Sequence, residues 1–142
     1  MREVVSKYPD TVSFLECGYD GEDFAPVSRG LENESEGGAR CTRCFELRLR
    51  ETARLAKEGD FDFFCTTLSV SPHKDEERIN EIGFKLEREF GVRWLPSDFK
   101  KREGYKRSNE LAREYGLYRQ DYCGCLFSLA ETKMLENPEK MV

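Results

Sequence analysis

No run of apolar residues in this chain approaches the roughly 18 that a membrane-spanning helix needs, and no leader-like segment opens it. Internal repeats, linkers and low-complexity tracts are absent, and histidine occurs once, at His73. An excess of positive charge is lacking as well. The net charge of −5 does not advertise a nucleic-acid binder, although a global figure says little about a local patch. These absences leave one cytoplasmic domain over residues 1–142, with no membrane partner, as the expectation. What is present supports a packed interior: 38% of residues are hydrophobic and 12% aromatic, under a surface rich in charge (36%).

In a reducing compartment, paired cysteines mark metal or redox chemistry more often than disulfides. The chain has six cysteines, and four of them are paired: Cys41 with Cys44, and Cys123 with Cys125. Cys41 and Cys44 follow Gly37-Gly38 and open a helical pattern, so both thiols face one side of a first turn. A helix N-terminus favours negative charge and should lower the thiol pKa there. Gly124 lets the backbone bend so that Cys123 and Cys125 can address one centre. Four thiolates suit tetrahedral zinc or an iron–sulfur cluster, and spacing alone leaves both open. Cys17 and Cys65 are isolated and read as packed or surface thiols.

Taken in order, the chain reads as a helix end (Arg2 to Lys7), a strand (Thr11 to Cys17), a short helix (Asp23 to Gly30) and an amphipathic helix from Cys44 to Lys57. A strand from Phe61 to Leu68, a helix from about Asp75 to Phe90 and a short strand from Val92 to Leu95 follow. A helix from Arg107 to Tyr115, a loop from Tyr118 to Cys125 and a helix from Leu126 to Leu135 complete it. This alternation implies an α/β fold with a parallel, Rossmann-like sheet covered by helices. Ligands of such sheets lie beyond the carboxyl ends of the strands, which places Ser69 to Lys74 and Pro96 to Arg102 at the site edge. His73 and Asp98 are candidates on those loops. Lys100, Lys101, Arg102, Lys106 and Arg107, interleaved with Phe99 and Tyr105 and joined by Arg119, could bind phosphates and stack a base. From charge alone, a solvated basic face is the simpler reading.

Four stretches carry a family resemblance: the segment from Glu32 through Glu36-Gly37-Gly38 to Cys44, Thr66 to Lys74, Leu95 to Lys101, and Leu117 to Cys125. In this order they resemble the motifs of the QueH-type epoxyqueuosine reductases, over about Tyr19 to Ser128. The resemblance implies an oxidoreductase that reduces the epoxide of epoxyqueuosine in the anticodon wobble position of tRNA, the last step of queuosine modification. It implies an adenine nucleotide alpha hydrolase-like sheet and a 4Fe-4S cluster with an additional iron. On the matching positions Cys41, Cys44, Cys123 and Cys125 become the metal ligands. His73, Lys74, Asp98 and Tyr105 become candidates for orienting substrate or donating protons, and the basic residues become tRNA contacts. An unidentified electron donor is also implied. Family members begin with a strand ending in adjacent cysteines, which this chain lacks. The expectation is therefore a chain without the first βαβ unit, with an incomplete metal site and no assured activity. Two other readings are carried alongside: a zinc-stabilised tRNA-binding module and a metal-free thiol redox protein.

Overall fold

The computed structural model describes residues 5–16, 23–119 and 121–136. Its elements run α1 (Phe24–Ser28), α2 (Ala39–Glu58), β1 (Phe63–Phe64), a 3-10 turn (Leu68–Val70), α3 (Glu76–Phe90), β2 (Arg93–Trp94), a second 3-10 turn (Lys101–Glu103), α4 (Gly104–Glu114) and α5 (Leu126–Glu136). None of the described helices is long and apolar enough to cross a membrane.

The core is the seam where α2 and α3 cover a short parallel sheet. Phe45, Leu49, Ala53 and Ala56 recur at helical spacing on α2, as Ile79, Ile82 and Leu86 do on α3, and all seven are buried with Phe64, Val92 and Trp94. Helix α3 has clear punctuation in sequence. The Asp75 side chain accepts from the Arg78 N–H at 3.1 Å, and Gly91 ends the helix in the left-handed region (φ 73°). Gly83 allows α3 to lie directly on the sheet, since a Cβ there would stand 2.2 Å from the Trp94 indole.

The sheet is narrower than the sequence suggests. Phe63 pairs with Arg93 and Phe64 with Trp94, in parallel, with α3 as the crossover. The expected strand from Phe61 to Leu68 thus shortens to two residues, because Cys65 onward leaves the ladder for the loop that leads to α3. The strand expected from Thr11 to Cys17 does not form over its described part. Residues 12–16 have no regular structure, and Val12, Phe14 and Leu15 are exposed, with no strand among the described residues pairing with them. Cys17 lies outside the described residues. Helix α2 begins earlier than expected, at Ala39, so the first cysteine pair sits within its opening turns. Helix α4 also begins early, at Gly104, where a Cβ would meet the Phe99 carbonyl oxygen at 1.8 Å.

The loops after the two strands do meet. The Ser69 and Ser97 hydroxyls lie 3.5 Å apart, the Phe99 N–H reaches Ser69 Oγ at 3.5 Å, and Lys100 Nζ donates to the Lys74 carbonyl at 3.0 Å.

Two expectations follow for stability. Gly83→Ala should overpack the α3–Trp94 contact and lower the unfolding free energy by about 1–3 kcal/mol in urea titration. Across α2 and α3, Lys85 donates to Glu46 at 2.7 Å and lowers its pKa below the ordinary 4.5. A lowered carboxyl contributes stability above that ordinary value and loses it as the pH falls through the lowered one. Lys85→Met should therefore flatten the acid limb of the stability profile while costing less than about 1 kcal/mol at neutral pH, because the pair is partly exposed.

Candidate metal centre and adjoining cavity

Local chain geometry shapes each cysteine pair. Gly38 is extended ahead of α2, and the left-handed Gly37 before it turns its N–H toward Cys41 Sγ at 3.3 Å. On the other side, Gly124 (φ 91°) bends the chain between Cys123 and Cys125 just before α5. Cys125 Sγ accepts from the Ser128 N–H at 3.4 Å, and the Cys123 N–H donates to Ser128 Oγ at 2.9 Å. Cys123 Sγ accepts from Lys74 Nζ at 3.1 Å.

Burial pushes the Cys44 thiol pKa up, Arg48 opposes that, and Cys123, Cys125 and Cys41 each add to the rise. The helix start was expected to lower the thiol pKa; at Cys44, desolvation and three neighbouring thiols outweigh it. The sulfurs do not yet close on one point. Among the described residues, no three His, Cys, Asp or Glu side chains are grouped closely enough to hold a metal ion. The donor chemistry fits a thiophilic metal or cluster: two pairs of thiols, amide N–H groups aimed at two of the sulfurs, and a cation beside a third. Cys65 is exposed and apart from the set.

Beside Cys123 opens a cavity of about 850 Å³ whose lining includes Glu36, His73, Lys74, Tyr105, Ser108 and Arg119. Three of the four suggested catalytic residues therefore border one space. His73 is on its exposed rim, while Lys74 is buried, 8% exposed. Burial opposes the Lys74 charge, but hydrogen bonds from its ammonium to Glu36 and to Cys123 raise its pKa above the ordinary value. Asp98 is not part of the lining; its carboxylate accepts from the Lys100 N–H at 3.1 Å and pairs with Lys101 at 3.5 Å.

The basic residues divide in a similar way. Arg119 faces the cavity, donating to Ser108 Oγ at 3.3 Å and lying 5.8 Å from the Tyr105 ring centroid. Lys100 turns inward to Glu76. Lys101, Arg102, Lys106 and Arg107 are exposed; Lys106 pairs with Glu103 of the preceding 3-10 turn and Arg107 with Glu110 on α4.

Three residues central to this arrangement went unmarked in sequence: Arg40, Glu36 and Ser128. Arg40 is 2% exposed; its guanidinium donates to the carbonyls of Leu31, Glu32 and Glu34, pairs with Glu131 at 3.3 Å, and lies 4.3 Å from the Phe127 ring centroid. Its Nε has no partner among the described residues. The only available signal was a cation at the second position of a helix, where the dipole disfavours it.

A family model described as epoxyqueuosine reductase QueH matches residues 1–131. The chain belongs to the QueH family. Proteins named epoxyqueuosine reductase QueH are similar to it: one from Streptococcus pyogenes serotype M1 is 46% identical over 126 residues, covering 89% of this chain and 49% of that protein. One from Staphylococcus epidermidis is 42% identical over 120 residues (83% and 50%), and one from Thermotoga maritima is 41% identical over 98 (69% and 51%). The chain spans about half the length of these curated relatives.

Arg40→Met should leave three carbonyls without their donor and cost about 1–3 kcal/mol in chemical unfolding. Glu131→Gln, which changes only the half-exposed partner, should cost less than about 1 kcal/mol.

Proposed function

We propose that this chain carries the metal-binding and substrate-binding portion of an epoxyqueuosine reductase, reducing the epoxide of epoxyqueuosine in tRNA to queuosine. The observation that carries this reading is the cavity bordered by Lys74, Tyr105 and Arg119, with Cys123 in its wall and the Lys74 ammonium bonded to that sulfur. Membership of the QueH family supports the reaction class, and the parallel β1–β2 pair with its helical crossover supports a Rossmann-like sheet.

Removing an epoxide oxygen to leave an alkene consumes two electrons and two protons and releases water. A 4Fe-4S cluster held by Cys41, Cys44, Cys123 and Cys125 would use all four thiolates and supply single electrons drawn from an external donor, and an additional iron would need ligands beyond these four. The chain's own residues would do the rest. The Lys74 ammonium in the cavity lining, bonded to Glu36 and Cys123, would be one proton source for a departing oxygen, with His73 and Tyr105 as alternatives. Arg119 and Tyr105 would hold a phosphate and a ring of the nucleotide, and the exposed Lys101, Arg102, Lys106 and Arg107 would extend the contact along the tRNA backbone. Asp98 would act at a distance, by shaping the turn that presents the basic run.

The test is anaerobic reconstitution with iron and sulfide, followed by metal and sulfide analysis and conversion of epoxyqueuosine-containing tRNA. Bound iron and inorganic sulfide, lost in Cys44→Ala and Cys123→Ala, are the expected result. A chain that takes up zinc but neither iron nor sulfide would overturn the cluster reading in favour of a zinc-stabilised tRNA-binding module. A chain that holds no metal and cycles between dithiol and disulfide would point to thiol redox chemistry. Lys74→Met should lower conversion by about 10²–10⁴-fold if the ammonium donates a proton.

A further inference from the structure

The loop before α2 holds an acidic residue that no thiol chemistry requires. Glu36 lies five residues ahead of Cys41, next to Gly37, whose N–H meets Cys41 Sγ. Each of its carboxylate oxygens has a different partner. Oε1 accepts from Lys74 Nζ at 2.5 Å, and that ammonium donates on to Cys123 Sγ at 3.1 Å. Oε2 accepts from Ser128 Oγ at 3.4 Å, and that hydroxyl in turn accepts from the Cys123 N–H at 2.9 Å. The two routes begin on one carboxylate and end on one residue, at its sulfur and at its backbone amide. Two attachments fix rotation as well as distance, which a single contact does not.

We propose that Glu36 is a positioning residue that sets the Cys123–Cys125 pair against the Cys41–Cys44 pair. This rests on the reading of the four thiols as one metal site. A solvated surface carboxylate would make no such set of contacts. Glu36 keeps 34% of its side chain exposed, yet both mediators are buried, Lys74 at 8% and Ser128 at 3%. Glu36 is the carboxylate that the Lys74 ammonium pairs with and the acceptor of the Ser128 hydroxyl proton, so removing it takes one partner from each buried group. The Glu36 turn thus touches both sulfur pairs: one through the neighbouring Gly37 amide, the other through Lys74 and Ser128.

The probe is cobalt(II), added to the metal-free full chain, because the thiolate-to-cobalt charge-transfer band grows with the number of thiolates bound. The wild-type chain is expected to give the four-thiolate band. Glu36→Ala should weaken it about twofold per bound cobalt, to the intensity of one cysteine pair. Glu36→Gln retains an acceptor oxygen of the same reach and should recover part of the intensity. In the metal-free state, amide hydrogen exchange over residues 121–128 should be faster in Glu36→Ala than in wild type. A Glu36→Ala chain with wild-type intensity per bound cobalt overturns the proposal, even if its melting temperature falls, because a purely structural role lowers stability without changing ligand number. Should the wild-type chain bind no cobalt, the metal reading fails on its own. The exchange rates then decide the positioning role: faster exchange upholds it and unchanged exchange overturns it.

Discussion

A guanidinium buried at the wrong end of a helix holds this structure together. Arg40 sits in the first turn of α2, where the helix dipole repels a cation, and almost none of it reaches water. The cost is offset because three carbonyls from the preceding loop converge on Nη1, Glu131 of α5 meets Nη2, and the Phe127 ring covers the guanidinium. Phe127 in turn meets Phe24 of α1 edge-on, with ring centroids 6.2 Å apart. One side chain thereby ties the loop before the first cysteine pair to the helix after the second. That tie works beside the Glu36 contacts to Lys74 and Ser128, which reach Cys123 from the same loop.

The position of the sulfurs follows from this tie and from the two strands. The α2–α3 seam supplies the rigid part, with α3 pressed onto Trp94 at Gly83. The loop after β1 carries Lys74 from that seam to Cys123, and Lys100 from the loop after β2 donates to the Lys74 carbonyl. A buried ammonium between a carboxylate and a thiol is a high-stakes arrangement: satisfied, it fixes its partners, and with either partner removed it is a desolvated charge. Charge, burial and sulfur geometry are therefore coupled at the wall of the cavity, where reaction chemistry would need them.

Much of the helical part was legible along the chain. The stripe of Ile79, Ile82 and Leu86, the Asp75 cap and the Gly91 stop have local causes, so α3 could be read to within a residue. The strands were less so. Phe61 to Leu68 is rich in aromatic and β-branched residues, yet only Phe63 and Phe64 pair, because a strand exists where a neighbour offers partners and composition does not reveal the neighbour. Thr11 to Glu16 fails over its described length for the same reason. Along the chain, the four cysteines are marked by spacing and His73 by its loop, while Lys74 and Tyr105 enter as catalytic candidates only with the family resemblance. Asp98 and Lys100 are marked in the same way; in the structure Asp98 accepts from the Lys100 N–H and Lys100 pairs with Glu76.

Residue identity and short-range spacing alone determined that two cysteine pairs exist, that one opens a helix and that a glycine bends the other, since each depends on neighbours within a few positions. Family membership is likewise carried by motifs along the chain. Only the tertiary structure decided that Glu36, 87 residues before Cys123, reaches both its sulfur and its amide through Lys74 and Ser128. It also decided that Arg40 is buried and that Cys44 is desolvated among three other thiols. Those facts depend on which distant groups share a low-dielectric space, and no local pattern encodes that.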